Sequence, residues 1–154
     1  MSTATRRALY GAMTSDGTLR NLLAAPAPGY SNGIYYQSAP DTAAFPLVIF
    51  NKQAGNPTEA MHDPTALDSE IWLIKAICHQ GDDQPAGVTA TSAADDAEAI
   101  AERLRVLLND ATLSLAGGAT HLYLRRQSDI DYQELATGET YVHCGSLFRL
   151  VLDP

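Results

Sequence analysis

The segment Ser92 to Asn109, SAADDAEAIAERLRVLLN, decides the fold, because the other segments are too short or too strand-like to organise a core alone. Ser92 suits the N-cap, and Asp95 and Asp96 place negative charge in the first turn, where free backbone N–H groups favour it. A helix of this length would span about 27 Å and could cover a small sheet. Its apolar residues recur at intervals of three and four and so share one side of the helix; they are Ala97, Ile100, Ala101, Leu104, Leu107 and Leu108.

The strongest strand candidates lie on both sides of this helix in sequence: Glu70–His79 before it, and His121–Gln127 and Thr140–Leu152 after it. In the first of these strands, both alternating sets of side chains are largely apolar. A strand with two apolar faces belongs in the middle of a sheet, or in an assembly that covers its second face.

The N-terminal third adds two helices and two strands. Thr3–Met13 predicts a short helix, and Ser15 or Asp16 is suited to cap a second helical segment that continues to Leu23. The predicted strands are Ile34–Ser38 and Pro46–Gln53. We therefore expect a single α+β domain over residues 1–154. Its antiparallel or mixed sheet should have about four to six strands, with one long helix and a short N-terminal helical pair packed on one face.

Two long polar segments predict loops. Ala54–Ala66, AGNPTEAMHDPTA, contains two prolines and little periodicity, and it is too long for an ordinary hairpin loop. We expect it to be a contact arm, with Met61, His62 and Asp63 as candidate interface residues. Asp129–Glu139, DIDYQELATGE, predicts a second long loop.

Composition restricts the possible function classes. The chain has 154 residues, of which 45% are hydrophobic, enough for a core without disulfides or metal. A net charge of −8 and a pI near 4.7 argue against general nucleic-acid binding, which needs a basic surface. No stretch approaches the roughly 20 apolar residues of a membrane span, and no secretory signal is recognisable. We expect a soluble protein made in the cytosol.

Each cysteine stands beside a histidine on a predicted strand: Cys78 beside His79, and Cys144 beside His143. Because neighbouring side chains on a strand alternate, the cysteines should face one side of the sheet and the histidines the other. A metal site or a cross-strand disulfide is one interpretation. We favour two buried thiols and two edge histidines, since tetrahedral zinc needs four converging ligands.

The sequence contains no established catalytic motif. It lacks the G-x-S-x-G, G-x-x-x-x-G-K-[ST], G-x-G-x-x-G and H-E-x-x-H patterns. The neighbouring Asp82 and Asp83 are more typical of a solvated turn than of a cation site, which needs several oxygen ligands at defined offsets. We therefore expect no enzyme activity, no catalytic or metal-binding residue and no cofactor.

Arg125, Arg126 and Tyr132 are the remaining candidate interface residues. The two arginines precede an acidic segment, so local ion pairs or intersubunit bridges explain them better than DNA contacts do. Tyr132, like Tyr30, Tyr35 and Tyr36, lies in or beside a predicted loop, where an apolar ring with a polar tip suits a protein interface or half-buried packing.

The order of these segments resembles a known family. The N-terminal RRALYGAMTSDGTLRNLL and GIYYQSAPDTAAFPLVIF are followed by EIWLIKAI, the helix DDAEAIAERLRVLLND and a turn with LSLAG. HLYLRRQ then leads to DIDY, and the chain ends with SLFRLVL. In this arrangement the chain is similar to the tail completion or tail terminator proteins of long-tailed, siphovirus-like bacteriophages.

The resemblance implies a structural virion protein of the tail or neck, made in the host cytoplasm. Such proteins form a homo-oligomeric ring, generally a hexamer, that caps the tail tube and ends its polymerisation. The ring would bind the tail tube protein and a head completion or connector protein. DNA would pass through its lumen without specific binding, and an acidic surface would suit that passage.

Three alternatives remain. Other neck proteins, a stopper or an adaptor, share this architecture. A small metal-dependent hydrolase could use His79, Asp82, Asp83 and His143 if they meet across strands. A DNA-binding module would use Arg125 and Arg126 and should bind duplex with a steep salt dependence.

Overall fold

The computed structural model describes residues 2–60, 63–80, 92–117 and 120–153. The helices are α1 (Ser2–Ser15), α2 (Gly17–Leu22) and α3 (Ala93–Leu108). The strands are β1 (Ile34–Tyr36), β2 (Leu47–Ala60), β3 (Asp63–Gln80), β4 (Thr120–Ala136) and β5 (Glu139–Asp153). The predicted α+β class is confirmed. Because α1 has 14 residues and α3 has 16, the helix layer is not formed around a single long helix.

The five strands form one mixed sheet in the order β1-β2-β3-β5-β4. β1 pairs with β2 in parallel, and all the other pairs are antiparallel. β3 lies at the centre, as its two apolar faces predict. The antiparallel register places Ala76 opposite Cys144 and Ile77 opposite His143.

The main core lies between the sheet and the helices. α3 packs on β3, β5 and β4, while α1 packs on β1 and on the other two helices. From the sheet, Phe50, Trp72 and Phe148 are each at most 1% exposed. The residues that α3 buries are Ala97, Ile100, Leu104 and Leu108, which belong to the predicted apolar side.

Local sequence explains where the helices begin. The Ser92 side chain accepts a hydrogen bond from the Asp95 backbone N–H, and the Asp95 carboxylate accepts one from the Ser92 N–H. This capping box satisfies two N–H groups that the helix itself cannot pair. The carboxylate of Asp16 caps α2 by accepting from the Leu19 N–H. Arg103 on α3 donates to both oxygens of Asp16, which holds the two helices together.

The sheet face opposite the helices, called here the outer face, is only partly covered. The segment between α2 and β2 folds over one end of it and buries Ala27 and Tyr35 with Leu47 and Ile77. The Tyr35 hydroxyl accepts a hydrogen bond from the Ala27 N–H at 3.1 Å. Further along the same face, Leu73 on the central strand is only half-buried.

The prediction of a loop over Ala54–Ala66 is wrong. β2 continues to Ala60 and β3 begins at Asp63, and the two pair as a hairpin with irregular register at two places. The pairing of β3 with β5 begins only at Asp68, so the hairpin projects beyond the sheet by about 17 Å at 3.3–3.4 Å per residue. Pro57 suits this position, because β2 has passed the end of β1 and is an edge strand there.

The prediction of a loop over Asp129–Glu139 is also wrong. β4 continues to Ala136 and pairs with β5 up to the turn at Thr137 and Gly138. Both turn residues have positive φ, 52° and 84°, as the tightest hairpin turns require. Thr is an unusual residue for that conformation, so only Gly138 of the two turn residues matches the usual sequence signal for such a turn.

Candidate interaction surface

β4 is the most exposed element of the sheet. It is the last strand in the sheet order, and one of its edges therefore has no neighbouring strand among the described residues. Four of the seven exposed large hydrophobic side chains of the described residues lie on it, namely Leu122, Tyr123, Tyr132 and Leu135. Long edge strands with exposed apolar side chains are templates for pairing with another chain.

The first half of the β4 edge is covered by the end of α3. The Leu124 carbonyl accepts a hydrogen bond from the Asp110 N–H at 2.8 Å, and the Arg126 N–H donates to the Asn109 side chain at 3.0 Å. Within the described residues, no further backbone hydrogen bond reaches the edge beyond Arg126. The open part of the edge is therefore Gln127–Ala136.

The two arginines form local ion pairs. Arg125 lies 3.1 Å from Asp110, and its guanidinium stacks over the Tyr123 ring at 5.6 Å. Arg126 donates to both carboxylate oxygens of Asp129, at 2.8 and 2.9 Å. These contacts match the local alternative that the sequence left open. A role for Arg125 and Arg126 at an interface stays a prediction.

Tyr132 lies on the outer face within a cluster of polar groups. Its ring stacks on His143 at 4.4 Å, and its hydroxyl accepts a hydrogen bond from Lys75 at 2.7 Å. Glu134 lies 3.1 Å from His143 Nε2. Burial, followed by the nearby positive charge of Lys75, lowers the pKa of His143, and Glu134 opposes this shift. Tyr132 itself is 40% exposed, and its role at an interface stays a prediction.

The cysteines and histidines lie on opposite faces, as the alternation predicts. Cys78 and Cys144 are buried on the helix side and are not joined in a disulfide, so the disulfide interpretation is wrong. Burial, with help from Asp131, raises the pKa of the Cys144 thiol to about 11, so it stays protonated and unreactive at neutral pH. The histidines stand on the two central strands rather than at an edge.

No cluster of three or more His, Cys, Asp or Glu side chains suited to a metal ion occurs among the described residues. His79 lies 3.3 Å from Glu139, in a ring cluster with Phe45 and Tyr141, while His143 faces Glu134. Within the described residues, the two histidines therefore contact different groups. The other residues proposed for a hydrolase, Asp82 and Asp83, lie outside the described residues.

A groove of about 330 Å³ separates α3 from the β4–β5 hairpin. Glu98 and Glu102 line it from the helix, and Asp129 and Asp131 line it from β4. Within the groove the Ser146 hydroxyl donates to Asp129 at 2.9 Å. Arg105 and Arg126 also line the groove and pair with Glu102 and Asp129. The groove is therefore a surface of locally paired charges rather than a ligand pocket.

Of the three interface residues predicted within Ala54–Ala66, only Asp63 lies within the described residues. Met61 and His62 are outside the described residues. Asp63 pairs with Ala60 as the first residue of β3. The segment therefore projects from the subunit as an arm, although it is made of strands. Its contact with a partner remains a prediction.

A buried acid was missed by reasoning from the sequence. Glu70 is 2% exposed, and its carboxylate accepts hydrogen bonds from Trp72 Nε1 at 2.9 Å and Lys52 Nζ at 2.7 Å. Its place two residues before Trp72 on a strand puts it on the helix-covered face, and this spacing was the available signal. The ion pair fixes the start of the core and contributes no reactive group.

Comparison with known proteins links this fold to a virion. No family model matches the chain, and no curated protein matches it. Eight chains of solved structures match, one of which comes from the virion of a native gene transfer agent (GTA) particle. That chain is 16% identical, with a TM-score of 0.65 over 99% of this chain and 97% of its own length. The likeness therefore covers the entire fold. None of the described helices has the length and apolarity needed to cross a membrane.

Proposed function

We propose that this chain is a structural subunit of a phage-like virion, located in the tail or neck and without enzyme activity. Within that class we propose the role of tail terminator or tail completion protein. Copies of the chain, generally six in such families, would form a ring that caps the tail tube and ends its polymerisation. The ring would join the tail to the head and leave a central passage for DNA.

The observation that carries this proposal is the likeness to a chain of the gene transfer agent virion over almost the full length of both chains. Because the match covers almost all of both chains, neither chain has a large insertion relative to the other. This favours a similar role for the two subunits in their particles. The order of sequence segments, which resembles the tail terminator family, supports the finer role. At 16% identity the structural likeness establishes the fold, and the role is our inference.

The surfaces of the subunit support assembly as the basis of function. The β4 edge is open from Gln127 to Ala136, and the β2–β3 hairpin projects beyond the sheet. Either feature in an isolated protein would favour aggregation, whereas a ring would cover both. The net charge of −8 suits a DNA passage, because a negative surface repels the phosphates, whereas a positive one would attract them and slow the moving DNA.

The test combines the purified chain with purified tail tube subunits. Native mass spectrometry should detect a closed oligomer of the chain, alone or in the presence of tubes. Electron microscopy should show tubes that are capped at one end and stop growing after the chain is added. A chain that stays monomeric under all conditions and never binds tubes would contradict the proposal.

The same material separates the terminator from a stopper or adaptor. A terminator binds tube ends, whereas another neck component should bind head connector subunits and leave tube growth unchanged. Duplex DNA at low salt provides the control for a DNA-binding module. The chain should not retain duplex, and a steep salt-dependent affinity would favour that module instead.

A further inference from the structure

The first and last strands of the sheet define two ends of the subunit. The sheet runs from β1 to β4, and the helices follow the same direction, with α1 over β1 and α3 over β3, β5 and β4. Four strand spacings of 4.7–4.9 Å separate the first and last strands by about 19 Å. α1, which lies over β1, is therefore separated from β4 by most of the width of the sheet.

The open half of β4, with the turn that follows it, is acidic and partly apolar. Between Gln127 and Tyr141 the sequence has four acids and no lysine or arginine. Asp129 is paired with Arg126. Among the described residues, no lysine or arginine forms an ion pair with Asp131 or Glu134. Leu135 is 75% exposed beside these charges. We call Gln127–Tyr141 the acidic edge.

The opposite side is basic. Residues 2–23, which form α1 and α2, contain three arginines and one acid, and that acid, Asp16, is paired with Arg103 of α3. Arg7 and Arg20 are exposed and form no ion pair with another described residue. Leu22 adds an exposed apolar side chain, 38% accessible. We call this surface the basic side.

We propose that the acidic edge of one copy docks against the basic side of the next copy. This inference rests on the proposed ring and names the two surfaces that build it. A contact between two different surfaces is heterologous, and such contacts close into rings when the rotation between copies allows it. The opposite charges would steer the copies together and fix their order around the ring.

Charge complementarity identifies a second copy as the occupant of the edge. Both surfaces are present in every subunit in equal number. Asp131 on the acidic edge, and Arg7 and Arg20 on the basic side, form no ion pair with another described residue. A tail tube subunit on the acidic edge is the main competitor, and the experiment below separates the two.

The experiment uses two variants with reversed charge. D131K/E134K converts the acidic edge, and R7E/R20E converts the basic side. D153K is the matched control, because Asp153 is exposed at the opposite end of β5 from the acidic edge. Circular dichroism first checks that each variant is folded. Native mass spectrometry then measures ring formation under the conditions in which the wild-type chain forms rings.

Each converted variant alone should lose rings by a factor on the order of tenfold or more, because like charges now face each other at every contact. D153K should form rings as the wild type does. An equimolar mixture of the two converted variants should recover rings with alternating subunits. In that mixture every contact again joins a positive to a negative surface, a result that only a heterologous contact between these two surfaces predicts.

The outcomes distinguish this inference from the function on which it rests. Wild-type chain that never forms a ring or binds tubes would overturn the proposed function. Normal rings from either converted variant, failure of the mixture, or loss of rings in D153K would overturn only the inference. Loss of tube binding with rings intact in D131K/E134K would assign the edge to the tube subunit. If a converted variant does not fold, the neutral pair D131N/E134Q, compared with R7Q/R20Q, should weaken rings in the same direction.

Discussion

The two faces of the central strands are built from the same kind of sequence and have different environments. On the helix-covered face, Trp72 and Ile74 are fully buried under α3. On the outer face, Leu73 and Lys75 alternate with them along the same strand and are only half-buried. Both faces are rich in apolar residues, so apolarity alone does not distinguish the face that folds the subunit from the face available to partners. Two pairs of variants compare the two faces, and a third prediction concerns the outer face alone.

The largest expected difference is between Ile74→Ala and Leu73→Ala. Ile74 is 0% exposed, so its truncation should lower the free energy of unfolding by about 2–5 kcal/mol through lost burial and the remaining cavity. Leu73→Ala should cost about 1 kcal/mol in the isolated subunit, because part of the side chain is already in water. Urea denaturation of the two variants measures both values.

An equal loss of unfolding free energy in the two variants would mean that the outer face is already covered within a single subunit. The comparison is sharper when Leu73→Ala is also measured in the assembled form. If partners cover the outer face, the variant should weaken assembly more than it weakens the subunit.

The second comparison removes one lysine from each face. Lys52 pairs with Glu70, whose carboxylate is 2% exposed, so Lys52→Met leaves an uncompensated buried charge and should cost about 2–3 kcal/mol. Lys75 donates to Tyr132 on the outer face, and Lys75→Met should cost less than about 1 kcal/mol. Thermal unfolding at pH 7 ranks the two variants.

The double variant Lys52→Met with Glu70→Gln is the control for this mechanism. It should recover part of the loss, because the orphaned negative charge is gone. No recovery would show that the aliphatic chain of Lys52, rather than its charge, stabilises the core.

The smallest effect concerns His143 and pH. Burial and Lys75 lower its pKa in the folded state, so the folded protein holds His143 neutral where the unfolded chain binds a proton. Its contribution is therefore complete above the unfolded pKa of about 6.5 and is lost as the pH falls below it, by at most about 1.4 kcal/mol per pH unit. Unfolding measured between pH 7.5 and 5.5 should become less sensitive to pH in His143→Gln.

The half-buried His121, whose pKa is also lowered by desolvation, should preserve part of the pH dependence in that variant. Lys75→Met should itself reduce the sensitivity, since it removes a positive charge near His143. An unchanged pH profile in both variants would refute the assignment to His143.

Several elements could be predicted from short-range patterns. α3, its N-cap at Ser92 and its buried side follow from spacing and capping chemistry. The opposite orientation of Cys144 and His143 follows from strand alternation. Each of these depends on residues close in sequence, where backbone geometry determines which side chains share a side.

The strand extensions could not be predicted in the same way. The ends of both hairpins are polar in sequence and lack alternation. In the β4–β5 hairpin most side chains from Gln127 to Ala136 are exposed, so burial imposes no apolar pattern there. The interface candidates were affected by this error, since Asp63 and Tyr132 were assigned to loops and belong to strands. Backbone pairing between neighbouring strands, rather than burial of side chains, defines these segments.

The sequence by itself determined the α+β class, the amphipathic side of α3 and the central place of β3, since each depends on local spacing of apolar residues. Only the tertiary structure decided the order of the strands and which of the two apolar faces the helices cover. It also decided that β4 is left with an open edge from Gln127 onward. The physical reason is that an edge is defined by a neighbour that is missing in space, and no residue of the strand encodes that absence.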